Sequence, residues 1–186
     1  MAGPDARPLH FAHSGGEAVS RVTLVLGGAR SGKSRFAEGL ARGVDGPRTY
    51  LATAEAFDEE MRQRITKHRE QRAGDGWATV EAPLDPASVI ASAQGLVLLD
   101  CVTVWLGNLM HHERDIPAAV GDLAGALRQT AARIIVVSNE IGLSIVPENA
   151  MARRFRDEQG FANQRLAEAA DEVYFIAAGL PLKLKG

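Results

Sequence analysis

The chain has a single cysteine, Cys101, among 186 residues. One cysteine excludes an internal disulfide, and no C-x-x-C pair or Cys/His spacing marks a structural zinc site, which fits a reducing cytoplasm. Charge of one sign is not in excess either, with 21 lysines and arginines against 23 aspartates and glutamates. No overall basic field draws such a chain to nucleic acid or anionic lipid, so a small polar or anionic ligand remains open. Long apolar runs are missing: none approaches the roughly 18 residues of a membrane span. The opening MAGPDARPLHFAHSGGEAVS has no apolar signal-peptide core. Internal repeats, low-complexity tracts and an interdomain linker are also lacking. Residues 1–20 read as a polar, flexible tail and 21–186 as one domain, for which 46% hydrophobic residues provide an ample core.

What is present is an alternation. VTLVL (22–26), RTYLAT (48–53), WATVEA (77–82), GLVLLD (95–100), RIIVVS (133–138) and EVYFIA (172–177) have the composition of strands. Helical patterns lie between them, near 33–43, 58–72, 103–130 with a break at Pro117, and 148–170. The closing GLPLKLKG reads as a turn and a short edge strand. Alternation of this kind implies βαβ units, hence a mostly parallel sheet flanked by helices, with ligands beyond the carboxyl ends of the strands.

Directly behind the first strand stands GGARSGKS (27–34), which meets G-x-x-x-x-G-K-S with a strand before it and a helix after it. In a loop of this kind, Gly27, Gly28, Ala29, Arg30, Ser31 and Gly32 wrap their backbone N–H groups around phosphate oxygens. Lys33 neutralises the β- and γ-phosphates, and Ser34 ligates Mg²⁺. The architecture implied is a single-domain P-loop NTPase-like (RecA-like) α/β fold, with a nucleotide-binding catalytic domain over 21–186. A carboxylate at the end of a neighbouring buried strand completes a magnesium site, and Asp100 closes GLVLLD in that manner; Glu140 is a weaker candidate at the same edge. No N-K-x-D stretch for reading guanine occurs, and chain length favours a small-molecule kinase over a motor. From spacing alone, phosphoryl transfer to a small acceptor is the first expectation, with a nucleotide-dependent binding module as the alternative.

The segment DEEMRQRITKHREQR (58–72), read as a helix, sets Met61, Ile65 and His68 on one face with arginines beside them. A histidine so placed can serve as a nucleophile with guanidiniums stabilising the product anion, although a helical histidine is more often a surface group.

Four segments together, VTLVLGGARSGKSRFAE, YLATAEAFDEEMRQRITKHREQR, LLDCVTVWLGNLM and VVSNEIGLSIVPENAMARRFRDEQGFANQRLAEAADEVYFIAAGLPLKLK, resemble the bifunctional adenosylcobinamide kinase / adenosylcobinamide-phosphate guanylyltransferase family of cobalamin biosynthesis. The resemblance implies two reactions. Adenosylcobinamide is phosphorylated with GTP or ATP, and GMP from GTP then passes through a guanylyl-histidine to adenosylcobinamide phosphate. It implies that His68 is the guanylylated residue and that Ala52, Thr53, Ala54, Arg69, Glu70, Gln71, Arg72, Glu81 and Asp100 join the loop in holding nucleotide. It further implies Mg²⁺, a cytoplasmic enzyme and a homotrimer. The chain departs from the family in RAGDGW, which lacks the proline common after the nucleophile, and at Ser144, where glycine is common.

Overall fold

The computed structural model describes residues 22–55 and 76–186. The tail over 1–20 and the helical reading of 58–72 lie outside the described residues. Among the described residues seven strands form one sheet: β1 (Val22–Gly27), β2 (Arg48–Ala52), β3 (Trp77–Glu81), β4 (Leu96–Asp100), β5 (Arg133–Asn139), β6 (Glu172–Ala177) and β7 (Leu180–Lys185). Their order is β3-β2-β4-β5-β1-β6-β7, and every pairing is parallel except β6 with β7. The helices among the described residues are α1 (Lys33–Arg42), α2 (Pro86–Ala91), α3 (Val102–His111), α4 (Ile116–Gln129) and α5 (Ala150–Ala169).

All six residues of β1 are buried, as a central parallel strand covered on both faces requires. Val25, Leu98, Ile135 and Val137 point to the face covered by α1, which contributes Ala37 and Ala41. Leu24, Leu99, Ile134 and Val136 point to the opposite face, under α2 to α5. There α3 supplies Trp105, Leu106 and Leu109, all 2% exposed or less, and α4 supplies Leu123 and Leu127. Truncating a fully enclosed leucine such as Leu99 to alanine removes about 2–5 kcal/mol, since the rigid sheet cannot collapse around the cavity.

The expected strands and helices are present to within a residue or two where they are described, with two refinements. The pattern over 103–130 is two helices. Pro117 sits in the first turn of α4, where its missing N–H costs nothing, and Asp115 caps that turn by accepting from the Ala118 N–H at 3.0 Å. The short α2 was not anticipated, although Asp85-Pro86 is the same signal: Asp85 accepts from the Ser88 N–H at 3.1 Å. At the far end, β7 returns antiparallel through a two-residue turn in which Ala178 (φ 51°) and Gly179 (φ 81°) are both left-handed. It delivers Lys185 Nζ to the carbonyls of Ala167, Glu168 and Ala170 at 2.6–3.2 Å, a cation on the negative end of α5.

Candidate active site

Because β1 to β6 are parallel, their carboxyl ends share one edge, and register shows which residues meet there. Ala52 is level with both Glu81 and Asp100, Asp100 with Val137, and Gly27 with Asn139. The P-loop, Ala52 to Ala54, Glu81 and Asp100 thus all stand along the edge where ligands of open α/β sheets bind.

The loop after β1 is held by the sheet as well as by its own turns. Its Ser31 N–H donates to the Gly28 carbonyl at 3.3 Å, and Lys33 Nζ donates to the same carbonyl at 3.2 Å. Left-handed backbone at Arg30 (φ 56°) and Gly32 (φ 95°) turns the chain into α1. Gly27 has no room for a side chain, since a Cβ there would stand 2.6 Å from Ser31 Oγ and 2.7 Å from the Ile176 carbonyl oxygen. The β6–β7 turn braces the loop from outside through the Gly179 N–H, which donates to the Ser31 carbonyl at 2.8 Å. A Cβ on Gly32 would come within 3.2 Å of Gly179 Cα.

No side chain caps α1, and its first turn carries no acidic residue. The positive end of the helix therefore faces a cavity of about 550 Å³ lined by residues 30–35 with Ala178 and Gly179. Arg30, Lys33 and Arg35 bring three cations to that lining. This is the electrostatics of an anion site, with helix dipole, backbone amides and cationic side chains acting together. Ser31 Oγ is buried without a hydrogen-bond partner at its base.

Asp100 lies two strands away, half-buried, and its Oδ2 accepts from the Tyr50 hydroxyl. Ser34 and Asp100 are hard oxygen donors of the type Mg²⁺ selects. Among the described residues no group of three His, Cys, Asp or Glu side chains could hold a metal, so an ion held by Ser34 and Asp100 would need further oxygen ligands from water or nucleotide. Burial, followed by the Asp100 charge, pushes the neighbouring Cys101 thiol up to about 11, which disfavours the thiolate at neutral pH.

Thr53 is fully buried. Its hydroxyl donates to the Cys101 carbonyl and accepts from the Cys101 N–H, both at 2.9 Å, so it joins the ends of β2 and β4. Buried Asn108 of α3 donates to the Thr53 carbonyl at 2.7 Å and to the Pro83 carbonyl at 2.9 Å, which ties in the end of β3. Two residues beyond Thr53, Glu55 meets His112 Nε2 at 3.0 Å. Residue type alone assigned no role to Asn108 or His112, because a polar residue inside an apolar helix carries no local signal of what it reaches. His68, Arg69, Glu70, Gln71 and Arg72 lie outside the described residues, which leave the edge at Glu55 and resume at Gly76.

At the end of β5, Ser138 is fully buried and donates to Asn163 Oδ1 at 2.7 Å. Gln159 Nε2 donates to Ser138 Oγ at 2.9 Å and to Asn163 Oδ1 at 3.1 Å. The segment that follows is different in character. Leu143, Ile145 and Val146 are 82%, 93% and 60% exposed, as is Met151 (71%) at the start of α5.

The chain is similar to known proteins. The model of a family described as cobinamide kinase / cobinamide phosphate guanyltransferase matches residues 23–184. A bifunctional adenosylcobalamin biosynthesis protein, CobP of Pseudomonas aeruginosa, is 44% identical over 168 residues, covering 88% of this chain and 96% of its own. The bifunctional adenosylcobalamin biosynthesis protein CobU of Salmonella typhimurium is 39% identical over 183 residues, covering 88% and 99%. That of Escherichia coli is 38% identical over 189 residues with the same coverage. Among solved structures, an ATPase of a bacterial type III secretion system superposes on 88% of this chain and 56% of its own, with a TM-score of 0.50 at 12% identity, a likeness of fold alone. With its P-loop, its strand-end carboxylate and relatives matched over nearly their whole length, the chain belongs to the cobinamide kinase / cobinamide phosphate guanyltransferase family.

Proposed function

We propose that the protein carries out two successive transfers on a corrinoid. In the first, the hydroxyl oxygen of the aminopropanol arm of adenosylcobinamide bonds to the γ-phosphorus of GTP or ATP. The bond to the β–γ bridging oxygen breaks, the electron pair leaves on the nucleoside diphosphate, and the hydroxyl proton passes to solvent. In the second, a ring nitrogen of His68 bonds to the α-phosphorus of GTP, and pyrophosphate leaves. A phosphate oxygen of adenosylcobinamide phosphate then displaces the histidine, giving adenosylcobinamide-GDP. Dividing the nucleotidyl transfer into two displacements lets one activated nitrogen serve as both nucleophile and leaving group.

The observation that carries this reading is the convergence of the cationic P-loop cavity and Asp100 on one sheet edge, in a member of this family. Gly27 to Gly32 cradle the phosphates, Lys33 and the start of α1 neutralise them, and Ser34 with Asp100 holds Mg²⁺. The bound ion would offset charge on the β- and γ-phosphate oxygens. Ala52, Thr53, Ala54 and Glu81 line the nucleotide site beside Asp100, and Arg69, Glu70, Gln71 and Arg72 belong to it with His68. Family resemblance alone supports these last assignments. The exposed apolar residues of 143–146 offer a contact surface, and family resemblance alone supports a homotrimer, in which a small domain gains the surface to enclose a large corrinoid.

Incubation with Mg²⁺ and GTP labelled at the α-phosphate, followed by denaturation, tests the central claim. The expected result is an acid-labile, base-stable label on the wild type and none on His68→Ala. Transfer of γ-phosphate to adenosylcobinamide with no α-label on the wild type would leave a kinase only.

A further inference from the structure

We infer that Asn139, through its side-chain amide, binds the γ-phosphate and lets the site tell a nucleoside triphosphate from a diphosphate. The inference rests on triphosphate binding at the P-loop and concerns a residue to which that reading gives no role.

Strand order comes first. β5 runs between β4, which ends in Asp100, and β1, which ends in the P-loop. It also runs further, since Asp100 is level with Val137, and β5 continues two residues to bring Asn139 level with Gly27. The residue at its tip therefore stands between the two groups that a bound triphosphate and its metal must bridge. Facing comes second. Ile135 and Val137 belong to the core beneath α1, so alternation along the strand sets Asn139 on that same face. The P-loop turns into α1 on this side.

Fixation comes third. The Asn139 N–H donates to Thr103 Oγ1 at 2.9 Å, and its carbonyl accepts from Asn163 Nδ2 at 3.0 Å. The next peptide is pinned to the loop itself, the Glu140 N–H donating to the Gly27 carbonyl at 3.1 Å. Behind it, Ser138, Gln159 and Asn163 form a buried network. Every backbone group of Asn139 is thus committed, whereas its half-buried side-chain amide makes no hydrogen bond to a described residue. A fixed backbone carrying an uncommitted amide NH₂ group at the phosphate edge is a preorganised contact for an anionic oxygen. Gln159 and Asn163 are positioning residues for it.

The test measures binding of GDP and of a non-hydrolysable β,γ-imido GTP analogue, with Mg²⁺, to wild type, Asn139→Ala and Asn139→Asp. In wild type the analogue is expected to bind more tightly than GDP. Asn139→Ala should weaken the analogue about tenfold, the scale of a lost hydrogen bond to a charged group, with GDP changed less than about twofold. Asn139→Asp should weaken the analogue further, because it sets a carboxylate against the γ-phosphate. Unaltered discrimination in both variants overturns the inference, as does an equal loss of both nucleotides, which would mark a structural role. A wild type that binds neither nucleotide would overturn the P-loop reading as well. Melting curves of each variant separate misfolding from lost contact.

Discussion

Two loops leave neighbouring parallel strands at the same edge of the sheet, and they are built on opposite principles. The one after β1 spends its backbone on hydrogen bonds to itself and to the β6–β7 turn, admits no side chain at Gly27, and offers cations and amides. The one after β5 is pinned at its two ends, by the Glu140 N–H on the Gly27 carbonyl and by Arg153 on the Pro147 and Glu148 carbonyls, and between them, from Leu143 to Val146, it presents apolar side chains to solvent. Its own bonds are short-range, such as the Ser144 hydroxyl donating to the Ile141 carbonyl at 3.0 Å. Phosphate is small and its geometry fixed, so a site for it is best made rigid in advance. A large apolar surface, whether corrinoid or another copy of the chain, can be met by side chains that settle on contact.

The difference can be attacked where it is greatest. Lys33→Ala removes the cation nearest the expected γ-phosphate and should lower the kinase rate by roughly 10²–10³-fold. Arg153→Ala, which frees the Pro147 and Glu148 carbonyls at the end of the second loop, should cost less than tenfold in the same assay. Adding one methyl group to each loop sharpens the contrast. Gly27→Ala drives a Cβ against the backbone carbonyl of Ile176 and should cost about 3 kcal/mol in urea unfolding, together with GTP binding. Gly142→Ala meets only the flexible carboxylate of Glu140, 2.8 Å away, and should stay within about 0.5 kcal/mol of wild type.

A double substitution, Leu143→Ser with Ile145→Ser, should leave unfolding within about 0.5 kcal/mol. It should nevertheless shift sedimentation toward the monomer or raise KM for the corrinoid; no change in either would leave the exposed apolar loop unexplained. The smallest effect concerns Cys101. Because burial raises its thiol to about 11, a maleimide should label it at pH 8 about a hundredfold more slowly in the folded protein than after unfolding. An unfolded thiol ionises first, so this group's contribution to stability is intact below about pH 9 and falls as pH rises toward 11.

The phosphate loop was legible because its chemistry is contiguous: glycine spacing, lysine and serine, between a strand and a helix, need no knowledge of the rest of the fold. Asp100 was legible from its place at the end of an apolar run. Asn139 was not, for its position depends on β5 lying between β4 and β1, and strand order is a property of tertiary packing that alternation does not encode. Ser138, Gln159 and Asn163 left a partial trace, since Gln159 and Asn163 are four apart on one face of α5, but nothing local says that this face is buried on β5. Thr53 entered through resemblance as an expected nucleotide neighbour; what its two bonds to Cys101 show is a tie between strand ends.

The bracing of Ser31 by Gly179 has a consequence in time. During synthesis the glycine loop emerges early, whereas both strands that flank β1 and the turn that props the loop are made late. A nascent chain halted after β4 therefore carries the complete G-x-x-x-x-G-K-S spacing without the site. The brace on the loop is complete only once the β6–β7 turn has been made.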